Sequence, residues 1–241
     1  MDVERILTCF EGASSEDELW NRFARLARDE FGVTSILYGF THNKYVALRT
    51  GITKSLYIRH NHPEGYIDAY GRDHFLDTDP CATELFATGA SVLWDNVYAV
   101  DTRDARLRQE IGRAFDMDIG VTVGLTFGGG AGITGAGFSA GPQRAAEFRK
   151  VWEARGRELE ALFAAFDARL RPTMIANRIQ LSPRERDVIA YAAAGHSGKE
   201  IARHLGMRPK SVFNVMDRAR KALQASTTFE AIAKAYAYNL I

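Results

Sequence analysis

The chain has no run of apolar residues approaching the roughly 20 needed to cross a bilayer. Its opening residues, MDVERILTCF, lack the basic, apolar and small-residue succession of a secretion signal. A cytoplasmic protein with no membrane partner is expected. Only two cysteines occur, Cys9 and Cys81, and they have no CxxC spacing, which argues against a disulfide framework or a zinc ribbon. No metal and no resident cofactor are therefore expected. HExxH and P-loop motifs are absent, which removes two common sequence signatures of an enzyme. The single literal GxGxxG, Gly130 to Gly135, leads into the strand-like AGFSAG instead of a helix. Its glycines fit a hairpin turn and close packing beside a pocket better than a dinucleotide site.

What is present is an uneven distribution of charge. The net charge is +1 over 241 residues, but residues 178–241 carry 11 Lys/Arg and 5 Asp/Glu, a net of +6, and residues 1–177 a net of −5. An acidic body with a basic C-terminal unit points to a polyanionic partner for that unit alone. The length accommodates two cores, one medium and one small.

Along the first part, Ser15-x-x-Glu18 forms a capping box ahead of Leu19, Phe23, Leu26, Ala27 and Phe31, which predicts a helix over 16–31 stopped at Gly32. TSILYGF and YVALRTG, separated by HNK, predict a strand hairpin. Short helices are expected over 64–72 and 80–88 and a longer one over 101–115. IGVTVGLTF and ITGAGFSAG predict a second hairpin around GGGAG, followed by a long helix over about 143–169. Helices before and after, with strands between, give an α/β/α sandwich with an antiparallel sheet. Residues 171–180, RPTMIANRIQ, contain a proline and are expected to form a linker.

The last part is all helical in pattern, giving an α+β chain overall. Ser182-Pro183-Arg184-Glu185 combines an N-cap, proline at the first helical position and a capping-box glutamate. Val188, Ile189, Tyr191 and Ala192 follow, with a stop at Gly195. A second helix carries Glu200, Ile201, Ala202 and Leu205 and ends at Gly206. Only Met207 to Lys210 separate it from a third, in which Val212, Val215, Met216, Ala219 and Leu223 repeat as an inward face. The other face presents Lys210, Ser211, Asn214, Arg218 and Lys221, side chains able to hold phosphates and reach base edges in a major groove. A fourth helix over 229–238 closes the core or makes a dimer contact. Two helices at a tight turn with an exposed polar face and a net charge of +6 predict a helix-turn-helix that binds double-stranded DNA.

The segment LSPRERDVIAYAAAGHSGKEIARHLGMRPKSVFNVMDRARKAL resembles the C-terminal domain of LuxR-type regulators, through Glu185, Gly195, Glu200, Ile201, Ser211, Val212, Ala219 and Leu223. Val215 and Ala222 depart from residues frequent in that family. The first half lacks the acidic pattern of a phosphorylated receiver. Instead HPEGYIDAYGRDHFLDTDP followed by SVLWDN resembles the autoinducer-binding domain of quorum-sensing LuxR-type proteins, with Trp94 fifteen residues after Asp79-Pro80. The resemblance implies domains over 1–170 and 181–241, joined by 171–180. It also implies a small-molecule signal, an N-acyl homoserine lactone, and a homodimer on a palindromic operator. In the implied site Asp79 accepts the ligand's amide N–H, Trp94 packs against the lactone ring and Tyr70 lines the acyl slot. Tyr66 stands where tryptophan is usual and keeps a donor in its phenol. His62 stands where tyrosine is usual, and ordinarily titrates near neutral pH. Two alternatives are a regulator acting without ligand or through a protein partner, and an enzyme fused to a DNA-binding tail.

Overall fold

The computed structural model describes residues 3–45, 47, 57–71, 77–141 and 144–241. They divide into two compact units, Met1–Arg171 and Pro172–Ile241. No helix among the described residues is long and apolar enough to cross a membrane.

The first unit opens with α1 (Val3–Thr8) and α2 (Glu16–Phe31). Ser15 caps α2 by accepting the Glu18 N–H at 3.1 Å, while the Glu18 carboxylate takes the Ser14 N–H at 2.9 Å. At the other end Gly32, with φ +71°, adopts the left-handed conformation that ends the helix at little cost. Strands β1 (Ser35–Thr41), β2 (Tyr57–His60), β3 (Val92–Leu93), β4 (Ile119–Phe127) and β5 (Gly132–Ala140) form one antiparallel sheet in the order β2-β1-β5-β4-β3. Between β2 and β4 come α3 (Tyr66–Gly71), α4 (Pro80–Thr88), α5 (Trp94–Tyr98) and α6 (Arg103–Ala114), and after β5 the long α7 (Ala145–Arg178).

Alternation along the strands sends side chains to two different faces. On one, Tyr38 of β1 and Phe138 of β5 meet Phe23 of α2 and Phe163 and Phe166 of α7, with Phe23 stacked on Phe166 at 3.9 Å. All five rings are fully buried, each contributing about 1.5–3 kcal/mol. The opposite face carries Leu37 and Gly39 of β1, Thr122 of β4 and Gly135 and Gly137 of β5, which the register sets side by side. Glycine is required here by contact. A Cβ at Gly120 would lie 2.1 Å from the Phe138 carbonyl oxygen and 2.6 Å from Trp94, and one at Gly124 would lie 2.3 Å from Leu85. The sheet is bare at these positions so that α4 and α5 can lie against it.

Two expectations change. β1 pairs with β2 and β5, not with a strand at YVALRTG. Tyr45 there is helical and most of that segment lies outside the described residues. The helix expected to end near 169 continues to Arg178, through Pro172 and most of the expected linker. Its apolar positions continue at helical spacing, with Leu170, Met174 and Ile175 buried, which offsets the backbone hydrogen bond the proline removes.

The second unit contains α8 (Pro183–Ala193), α9 (Gly198–His204), α10 (Pro209–Ala222) and α11 (Thr228–Ala237). Complete capping boxes, Ser182 with Glu185 and Ser197 with Glu200, start α8 and α9. Val188, Ile201, Ala202, Val212 and Val215 form the core. Gly206, with φ +61°, makes the turn between α9 and α10.

Candidate functional site: a buried pocket and an exposed recognition helix

On the bare face of the sheet, α3, α4, α5 and α6 enclose a cavity of about 70 Å³. His62, Tyr66, Tyr70, Asp79 and Trp94, the five residues expected to bind ligand, all line it. Each arrives by a different local rule. Tyr66 and Tyr70 lie four apart on α3, hence on one face, with rings stacked at 5.4 Å. Asp79 is the N-cap of α4, and Pro80 opens that helix. Trp94 starts α5 directly after β3, and its indole N–H donates to Thr122 Oγ1 at 2.8 Å. His62 follows β2, with Nδ1 3.1 Å from Ser35 Oγ and its ring edge-on to Tyr66 at 4.5 Å.

Asp79 is almost wholly buried, and its carboxylate is already engaged. Oδ1 accepts the backbone N–H groups of Cys81 and Ala82 at 2.7 and 2.9 Å. Oδ2 accepts the Tyr70 hydroxyl and lies 3.1 Å from Nε of Arg108. The role of amide acceptor implied by the resemblance therefore meets a carboxylate that protein donors already occupy.

Arg108 was not anticipated. It lies on α6 in register with Ala105 and Gly112, the buried face of that helix. Its guanidinium covers Trp94, 4.3 Å from the ring centroid, and reaches Tyr70 at 5.7 Å. The available signal was a charged residue at an inward position of an otherwise small-residue helix face, although periodicity alone does not say whether such a charge finds a partner.

The electrostatics follow from this burial. Desolvation, with smaller contributions from His60 and Arg108, pushes the His62 pKa down to about 3. The imidazole is therefore neutral at physiological pH, which corrects its expected titration near neutrality. Burial, with the Asp79 charge next, also holds the Tyr70 phenol well above its ordinary value, so it remains a donor. Leu37, Leu85, Phe86 and Met117 supply an apolar wall. In chemical terms the cavity can grip a small guest by oxygen acceptors and an aliphatic chain.

Gly130 closes the β4–β5 turn with φ +88° and Gly135 sits in β5. The GxGxxG is thus part of a hairpin, without the strand-to-helix geometry that cradles a pyrophosphate.

In the second unit, Lys210, Asn214, Arg218 and Lys221 are exposed on α10 and Ser211 is half-buried in its first turn. Two of the cations have partners within the fold. Arg218 Nε lies 3.1 Å from Glu185 Oε1, and Lys221 Nζ 2.9 Å from Asp217 Oδ2. Burial works to raise the Glu185 carboxyl, but hydrogen bonds from Ser182, together with Arg218, outweigh it and leave the pKa lowered. Phe213, 72% exposed, stands among the polar residues of α10. Periodicity assigned apolar residues only to the inward face and so missed it.

A protein-family profile described as autoinducer binding domain matches residues 15–170, and one described as bacterial regulatory proteins, luxR family, matches residues 179–235. No curated protein matches the chain. Among solved structures, SdiA of Escherichia coli is 19% identical with a TM-score of 0.70, covering 99% of this chain and 97% of that one. SdiA in complex with octanoyl-rac-glycerol is also 19% identical, with a TM-score of 0.67 and coverage of 98% and 93%. CepR2 of Burkholderia cenocepacia, described as an N-acylhomoserine lactone dependent LuxR family transcription factor, is 16% identical with a TM-score of 0.54, covering 71% of this chain and 94% of that one. At these identities the likeness is one of fold.

Proposed function

Because the chain belongs to the autoinducer-binding, luxR-type bacterial regulators, we propose that its first unit senses an N-acyl homoserine lactone or a related small acyl signal, and that its second unit, in a homodimer, reads a palindromic operator. The family couples a ligand-binding domain to a DNA-binding domain and regulates transcription; it is not a family of enzymes.

The observation that carries the ligand assignment is the convergence of His62, Tyr66, Tyr70, Asp79 and Trp94 on one cavity. An acyl homoserine lactone presents one amide, two carbonyls, a small ring and an apolar tail. The Trp94 indole, beneath the Arg108 guanidinium, contributes an aromatic wall to the cavity. The Tyr66 phenol and the His62 imidazole offer donors for carbonyls, and Leu37, Leu85, Phe86 and Met117 an apolar slot. Two structural relatives are described with acyl ligands, a lactone for CepR2 and an octanoyl glycerol for SdiA, which supports an acyl chain in the signal.

Support for the DNA assignment comes from Lys210, Ser211, Asn214, Arg218 and Lys221 on α10 and from the net charge of +6 over residues 178–241. One recognition helix reads only a few base pairs, so paired half-sites on a two-fold operator supply the remaining specificity. Phe229 and Tyr236, 86% and 57% exposed, lie seven residues apart on α11 and offer a second copy an apolar contact.

Thermal denaturation of the full chain with lactones of graded acyl length tests the ligand. A binder present at a hundredfold over its Kd should stabilise by about 2.7 kcal/mol. Absence of any shift across the series would remove the lactone assignment. Light scattering tests the assembly, and a monomer at micromolar concentration with ligand and duplex DNA present would remove the homodimer. Ligand-independent regulation is the second reading, favoured by the small volume, about 70 Å³, against the roughly 300–1,000 Å³ usual for small-molecule sites. Full-affinity operator binding by protein without ligand would select it.

A further inference from the structure

Arg108 and Asp79 form a buried ion pair, their side chains 4% and 1% exposed, but the two partners are not equally satisfied. A carboxylate has about four lone-pair positions. Those of Asp79 accept two backbone N–H groups and the Tyr70 hydroxyl, and the guanidinium faces the remaining side of the carboxylate as an ion pair. Arg108, by contrast, has donors to spare. Its Nε lies within ion-pair distance of Asp79 yet makes no hydrogen bond, and Nη1 likewise has no hydrogen-bond partner among the described residues. The hydroxyl of Tyr98, on the adjacent α5, is also buried without a hydrogen-bond partner among the described residues, and Arg108 is the leading charge acting on it. The faces of Trp94 and Tyr70 hold the guanidinium plane in place. The cavity is thus short of acceptors and has donors in excess, a costly arrangement for buried groups unless a guest completes it.

We infer that this site holds its ligand by a neutral acceptor oxygen, a carbonyl or ester oxygen, docked on Arg108, and that Asp79 positions that guanidinium instead of accepting an N–H from the ligand. A neutral guest suits the charge balance, because Arg108 and Asp79 already cancel and His62 is uncharged. An anionic guest would leave an unbalanced charge in a water-poor cavity. The specificity-determining residue is then Arg108, and an amide N–H is a dispensable feature of the signal. This inference rests on the acyl-signal reading above.

The test uses the native full-length chain and two probes, N-octanoyl-homoserine lactone and its ester isostere, in which oxygen replaces the amide N–H. Calorimetric titration should give Kd values for the two within about threefold. Ester binding tenfold or more weaker than the amide would return the N–H to Asp79 and overturn the inference while leaving the acyl-signal reading intact. Failure of both probes to bind would overturn that reading, and the inference with it. On the protein side, Arg108→Lys keeps a cation beside Asp79 but loses the planar fork. It should weaken both probes at least tenfold, and native affinity in this variant would overturn the role given to Arg108. If Arg108→Lys does not fold, the comparison of the two probes on the native chain still decides.

Discussion

The two units each contain an arginine facing a carboxylate at 3.1 Å, Arg108 with Asp79 and Arg218 with Glu185. By distance the pairs are the same; by environment their arginines are opposites, while both carboxylates are buried. In the first unit both side chains are nearly inaccessible, 4% and 1% exposed, whereas Arg218 is 58% exposed. Water can replace the exposed Arg218, and Glu185 keeps its hydrogen bonds with Ser182 when it does, so the pair adds little to stability. No solvent can replace a partner lost from the buried pair, and the remaining charge is then stranded. The comparison teaches that the first unit uses its arginine to shape a pocket, while the second keeps its arginine available. An exposed guanidinium can exchange a carboxylate for a phosphate at small cost.

Removing the cation should give the largest contrast. Arg108→Leu leaves the Asp79 carboxylate buried beside Tyr70 and should destabilise the first unit by about 3–5 kcal/mol. All three tryptophans, Trp20, Trp94 and Trp152, lie in that unit, so their fluorescence reports its unfolding separately. Adding Asp79→Asn to Arg108→Leu should recover part of the loss. Equal loss in the single and double variants would mean that the effect is packing and not charge.

Acid should separate the units next. The His62 pKa is lowered from 6.5 to about 3 by folding, so the unfolded chain binds the additional proton between those values. Stability from this group is intact above about pH 6.5 and falls as pH drops towards 3, by up to about 1.4 kcal/mol per unit. In the second unit Glu185, Glu200 and Asp217 have lowered pKa values, and its loss begins only below about pH 4.5. Tryptophan fluorescence should therefore report acid destabilisation at a higher pH than helical circular dichroism of an isolated 175–241 fragment. His62→Phe should flatten the first curve.

Smaller effects belong to the second unit. Ser182→Ala breaks the capping box that starts α8 and should cost about 1 kcal/mol in a thermal melt of the fragment. Arg218→Ala should change stability least, within about 0.5 kcal/mol. It should nevertheless weaken operator binding and lower the slope of log affinity against log salt by about 1. An unchanged slope, measured by anisotropy, would place Arg218 outside the phosphate contacts.

The parts legible in the sequence are those set by local rules. Ser182, Pro183 and Glu185 announce α8 because capping involves only neighbouring residues. The β4–β5 hairpin was legible because its turn lies between two adjacent strands, whereas the partner strand for β1 was misassigned because strands distant in the chain can pair. The helical span across Pro172 was missed because the apolar positions around it were judged too weak to outweigh a proline. In the pocket, the resemblance, with the Asp79-Pro80 and Trp94 spacing as its key, brought forward all five of His62, Tyr66, Tyr70, Asp79 and Trp94. Their mutual contacts were not visible from it.

The sequence by itself determined the capped helix starts, the segments of β1, β4 and β5 and the basic character of residues 178–241, and through its family motif it pointed to five residues that line the pocket. Each depends on chemistry within a few positions, on composition or on a motif of fixed spacing. Only the tertiary structure decided that Arg108 of α6 reaches the cap of α4, that His62 is held neutral, and that the Asp79 carboxylate is ringed by protein donors. These outcomes depend on which groups share a volume from which water is excluded. Desolvation and pairing across that volume are properties of the packed structure and leave no periodic trace along the chain.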